Sequence, residues 1–242
     1  MVLTGHVDLL NAPPIDGVEL GPVKVIVDEA DLPEFDQLID TITRSHCSGR
    51  TVAIHLVTAA ATAFALAAWR ASGSLPGDRI EHGSVLTPPM AELIAQLGLT
   101  VVTQPGFIAE RGDQYLADVD PGDIENLYRC ASLRRLGIPV AGSTDAPYTD
   151  ADPWRGIRAA TDRRTPTGRV IGKAESLSGS AALALFACDP LRPGAEHVEL
   201  APGSPADLCL LHLPLRDALG DPRVENVRAT FRRGVLIGGD VE

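Results

Sequence analysis

Five short apolar runs, each followed by a segment of helical periodicity, organise roughly the first 160 residues of the chain. VKVIVDE (23–29) precedes LPEFDQLIDTITRSH, TVAIHLV (51–57) precedes an alanine-rich helix, and DRIEHGSV (78–85) precedes PPMAELIAQLG. LTVVTQP (99–105) leads through a longer polar loop to DIENLYRCASLRRLG, and IPVAGSTDAP (138–147) leads to DPWRGIRAATDRR. Strands that alternate with helices return on the same side and pair in parallel, so the pattern predicts βα units. Gly98 and Gly137 stand where two of the helices should stop.

The alternation then ends. SLSGSAALALFA, from Ser176, reads as a helix, while PADLCLLHLP (205–214) and VRATFRRGVLIGG (227–239) read as strands joined by turns. A chain of 242 residues that is 45% hydrophobic can bury one large core or two small ones. Its net charge of −11 argues against nucleic acid or an anionic membrane as the main partner and leaves a small-molecule substrate. Cys47, Cys130, Cys188 and Cys209 lack zinc-finger or thioredoxin spacing and read as reduced packing residues. The N-terminus has no basic region followed by a long apolar stretch, and AAATAFALAAW (59–69) is shorter than the roughly 20 residues of a membrane span, so a cytoplasmic protein is expected.

Ionisable residues fall at strand ends. His55 follows TVAI, His82 follows RIE, Asp145 follows IPVAGST, and Lys24 shares one face of its strand with Asp28 while Val23, Val25 and Val27 take the other. Lys24, His55 and His82 are spaced by about one βα unit of roughly 30 residues. In a (β/α) barrel the C-terminal strand ends share one mouth, so these four groups are expected to meet there. Imidazoles and carboxylates suggest a divalent metal, with zinc the default, as one or two ions. An ammonium cannot ligate a cation. A buried lysine is biased toward its neutral amine, which can capture carbon dioxide as a carbamate and bridge two metals.

At these residues the sequence resembles the amidohydrolase superfamily, in particular amidohydrolase family 3. GPVKVIVDE, the strand ending in His55, RIEHG, VVTQP and GSTDAP carry the resemblance, with PGSPADLCLL and VRATFRRGVLIGG in the tail. It implies a metal-dependent hydrolase of C–N bonds on a distorted (β/α)8 barrel. Carbamylated Lys24, His55 and His82 would be metal ligands, and Asp145 would be both ligand and general base. The expected architecture is an incomplete TIM-type barrel of about five units over residues 1–175, then a helix and β-strands of the family's second domain over 176–242.

The sequence departs from the family at two places. It has no His-x-His pair on a first strand, where His6 and Asp8 offer only a remote substitute, and LVTAAAT follows His55 in place of Gly-Asp. A full barrel takes about 250 residues by itself, so three strands are expected to be absent, with an open edge beside the Lys24 strand. The chain is thus expected to be the C-terminal portion of a larger hydrolase, or to work with a missing N-terminal part or as a homo-oligomer. Two other readings stand beside the hydrolase: an inert fragment or pseudoenzyme, and a Schiff-base lysine aldolase or lyase built on Lys24. Locally, Lys24 could pair with Asp28, Asp145 could cap the following helix, and Gln104 could touch substrate or satisfy backbone. His46, His197 and His212 read as surface or structural residues, and Trp69 and Trp154 as packing.

Overall fold

The computed structural model describes residues 1–195 and 200–241; His197 lies outside them. Six parallel strands form one sheet in chain order: β1 (Val2–Gly5), β2 (Glu19–Ile26), β3 (Val52–Leu56), β4 (Arg79–His82), β5 (Thr100–Thr103) and β6 (Val140–Gly142). Helices α1 (Phe35–Cys47), α2 (Ala59–Ser72), α3 (Pro88–Gln96), α4 (Gly106–Asp118), α5 (Ala131–Arg135) and α6 (Pro153–Asp162) alternate with the later strands. The sheet is a half-barrel, two strands short of (β/α)8 closure.

The register explains which side chains go where. Val25, Ile54, Ile80, Val101 and Val140 align in one row across five strands. Ile54, Ile80 and Val101 are fully buried in the core shared with α1, α2 and α3. Burial of each such side chain contributes about 1.5–3 kcal/mol. Pleating sends the alternate positions to the other face, where Lys24 aligns with Ala53 and Arg79, and Ile26 with His55 and Glu81. That inner face is only partly covered: Ile26 is 66% exposed.

Two elements differ from the sequence reading. The strand count is six rather than five, because VLTG at the N-terminus forms β1 and pairs with β2. The edge on that side is therefore β1 and not the Lys24 strand, and β6 forms the other edge. The polar stretch after Pro105 is helix α4, whereas DIENLYRCASLRRLG breaks into a 3-10 turn at Ile124–Asn126 and the short α5.

Beyond the half-barrel, α7 (Gly179–Phe186) packs on α6 and β6. Its Phe186 ring lies so close to Gly142 and Gly156 that a Cβ there would meet it at 2.7 and 2.5 Å. β7 (Leu208–Leu211), α8 (Leu215–Gly220), β8 (Val227–Arg232) and β9 (Val235–Gly239) follow, the three strands forming an antiparallel sheet in the order of the chain. All four thiols are unpaired; Cys130 is buried, while Cys47 and Cys209 are exposed. Trp69 is fully buried and Trp154 nearly so. Among the described residues no helix is long and apolar enough to cross a membrane.

Candidate functional site

The C-terminal ends of the strands open into a cavity of about 820 Å³ whose lining includes His55, His82 and Asp145. His55 reaches it by ordinary pleating from the inner face of β3. His82 does not, since alternation would align it with Ile80 toward the helices. Its backbone turns left-handed instead, at φ 69°, and Gly83 follows at φ 53°. The His82 ring consequently meets His55 edge to face, with centroids 4.5 Å apart. Asp145 also has positive φ, at 57°. A left-handed non-glycine residue costs roughly 1–2 kcal/mol, and such strain concentrates at functional sites.

Neighbouring groups hold these residues in place. His82 Nδ1 lies 2.8 Å from Gln104 Oε1, and Gln104 Nε2 donates to the Val102 carbonyl at 3.5 Å. With Oε1 as acceptor, Nδ1 carries the proton and the Nε2 lone pair is available to a ligand. Gln104 is 2% exposed and does not line the cavity; its contact is with His82. The Asp145 backbone N–H donates to Ser143 Oγ at 3.2 Å, and Thr149 Oγ1 donates to the Thr144 carbonyl across the same loop. Asp145 does not cap α6, because Asp152 does so by accepting from the Trp154 N–H at 2.9 Å.

Lys24 is half-buried and lies one pleat below His55 on the same face, outside the cavity lining. Burial pushes its amine below the usual lysine range; Glu81 opposes this, Arg79 reinforces it and Asp145 opposes it. No ion pair joins it to Asp28, whose carboxylate accepts instead from the Ala30 N–H at 3.0 Å. Burial likewise pushes His55 below its ordinary value, helped by His82 and Lys24 and opposed by Asp145 and Asp28. Both groups are biased toward neutral forms that can bind a metal or carbon dioxide.

The site fits a divalent ion in the kind of its donors but not yet in their number. Among the described residues no three His, Cys, Asp or Glu side chains lie close enough together to hold a metal ion. His6, the remote substitute ligand, has an exposed side chain whose Nδ1 pairs with Asp8 at 3.0 Å. The far wall is aromatic, and the sequence reading did not foresee it. Phe107, Arg111 and Tyr115 on α4 follow one another at helical i, i+4 spacing and share the cavity with Tyr128 and Tyr148.

The amidohydrolase family model matches residues 9–241, and the chain belongs to that family. It is 25% identical over 165 residues to the N-substituted formamide deformylase of Arthrobacter pascens, covering 65% of this chain and 30% of that one. An uncharacterized metal-dependent hydrolase from Pyrococcus furiosus superposes with TM-score 0.63 at 26% identity, over 74% of this chain and 42% of the other. A Xaa-Pro dipeptidase, 19% identical, superposes with TM-score 0.58 over 98% of this chain and 66% of its own, and shows the fold alone. The chain spans 30% of the length of the curated relatives it matches.

Proposed function

We propose that this chain carries the metal-binding half of a hydrolase acting on an amide or cyclic amide C–N bond, and that His55, His82, Lys24 and Asp145 hold one or two divalent ions, zinc by default. The observation that carries this reading is the His55–His82 pair, 4.5 Å apart at the cavity wall with one ring tied off by a buried amide. A metal-bound histidine ordinarily uses its second nitrogen in such a contact, which fixes ring orientation and tautomer. Lys24 as a carbamate would supply the anionic oxygens that its amine cannot. A bound ion would polarise the substrate carbonyl and acidify a water molecule. Asp145 would accept the proton of that water and pass it to the leaving nitrogen, acting as base and then as acid.

One observation favours the inert reading: the incomplete donor set together with an inner sheet face that is open at Ile26. Elemental analysis of the purified 242-residue chain after zinc loading separates the two. At least one tightly held zinc per chain, lost in His55→Ala and His82→Ala, supports the hydrolase reading. Full activity without a divalent ion would exclude it, and borohydride trapping of a substrate adduct on Lys24 would indicate the aldolase.

A further inference from the structure

The aromatic wall has its own chemistry. The sequence contains only three tyrosines, and all three, Tyr115, Tyr128 and Tyr148, line this one cavity with Phe107. The Phe107 ring centroid lies 5.6 Å from Tyr128, 5.7 Å from Tyr148 and 6.5 Å from His82, so the ring surface runs without a break to the imidazole pair. Tyr115 and Tyr128 join their hydroxyls at 2.9 Å. Their polar tips thus satisfy each other and leave ring surface toward the cavity. A site of this size with such walls suits a flat apolar group, since aromatic rings prefer offset or edge contacts with other rings.

Arg111 adds the second requirement. Its guanidinium lies 4.0 Å over the Tyr148 ring, and it donates to the Tyr148 hydroxyl at 2.9 Å and to the Tyr148 carbonyl at 3.4 Å. Those contacts use two of its N–H groups and neutralise none of its charge. Among the described residues no carboxylate lies within ion-pair distance of it, although ten other ion pairs are present. Among the described residues it is also the only lysine or arginine in the lining, which also carries Glu29, Asp123 and Asp145. An oriented, unneutralised guanidinium stacked on an aromatic ring is a fork for a carboxylate.

We propose that Phe107, Tyr148 and Arg111 form a subsite for an aromatic group bearing a carboxylate, so that the substrate class is the amide of an aromatic carboxylic compound such as an N-acylated aromatic amino acid. The proposal rests on the cavity being the substrate site of the hydrolase reading, but the binding step needs no metal. The test is calorimetric titration of the metal-free 242-residue chain with phenylacetate, its neutral isostere phenylacetamide, and acetate. Phenylacetate should bind at least about tenfold more tightly than either of the others, the scale expected of a charge-assisted bidentate contact. Arg111→Gln should abolish the preference for phenylacetate over phenylacetamide, while Tyr148→Leu should weaken both ring-bearing probes and keep that preference. Arg111→Lys, which keeps the charge and loses the fork, should fall between, and thermal melts check that each variant is folded.

Equal binding of phenylacetate and phenylacetamide, equal binding of phenylacetate and acetate, or no saturable binding at millimolar concentration would each overturn the subsite. Ring-selective binding with no zinc uptake would leave the subsite standing and remove the hydrolase reading instead. Zinc uptake without ring selectivity would do the reverse.

Discussion

Gln104 Oε1 accepts from His82 Nδ1 at 2.8 Å, and this buried contact fixes a ring that its own backbone turns toward the cavity. Removing the amide frees the ring to rotate and leaves Nδ1–H unpaired in a site where His82 is 8% exposed. Gln104→Leu should therefore lower zinc affinity by about 10- to 100-fold, the usual cost of losing such an outer contact. Competition against a chromophoric chelator measures it. Unchanged affinity in a folded variant would mean that His82 is not a ligand.

Protonation of His55 should weaken the fold and the site together. Burial lowers its folded value below the ordinary 6.5, so between those two values the unfolded chain binds more protons than the folded one. Stability therefore rises with pH across that window. The contribution is fully present above about 6.5 and disappears as pH falls through the lowered folded value. Urea melts of the wild type and His55→Gln over this range check the sign: the difference in slope between them should be positive. A flat difference would mean that His55 is as solvated as in the unfolded chain.

Much of this architecture was legible because it follows from patterning. Each member of the row from Val25 through Ile54, Ile80 and Val101 to Val140 lies in one of the apolar runs that precede helices, and the inner positions of Lys24 and His55 follow by alternation. His82 was found by its motif although alternation alone would have put it on the wrong face; only the left-handed turn brings it inward. β1 was missed because four residues carry too little pattern. α4 was missed because Pro105 and Gly106 suggest a loop and its middle is polar, although Phe107, Arg111 and Tyr115 already lay at helical spacing. His46 read as surface or structural, and its partner could not be seen because it lies 32 residues away.

That partner is Asp78, a fully buried carboxylate at the opposite end of β4 from the site. It accepts from His46 Nε2 at 3.0 Å, Trp69 Nε1 at 3.0 Å, the Val52 N–H at 2.9 Å and the Leu75 N–H at 3.0 Å. It thereby ties α1, α2 and β3 to the start of β4. Asp78→Ala orphans the indole and two backbone donors in the core and should cost about 3–5 kcal/mol in denaturant melts, as for a broken buried pair. Asp78→Asn should cost less, because one oxygen still accepts. Phenylacetate binding, measured below the unfolding transition, should be unaffected by either change.

A second buried carboxylate, Glu175, should contribute to the loss of stability in acid. Glu175 accepts from the Ser132 N–H at 2.9 Å and from Arg129 Nε at 3.1 Å, fastening the turn before α7 to α5. Burial pushes its carboxyl upward, but the Ser132 and Arg129 contacts outweigh that and hold it below the ordinary 4.5. A depressed acid contributes stability above its unfolded value and loses it as pH falls through the folded one. Glu175→Gln should lower stability at neutral pH by about 1.5–3 kcal/mol, the worth of hydrogen bonds to a charged group. It should also flatten the fall in stability below pH 4.5, because the variant has no proton to take up there. Arg129 keeps its contact to the Leu86 carbonyl at 3.0 Å, so the loss should be smaller than for Asp78→Ala. Melts from pH 3 to 7, on the scale of about 1.36 kcal/mol per unit of pKa shift, test both statements: a variant whose acid limb remains parallel to the wild type would show that Glu175 does not set it.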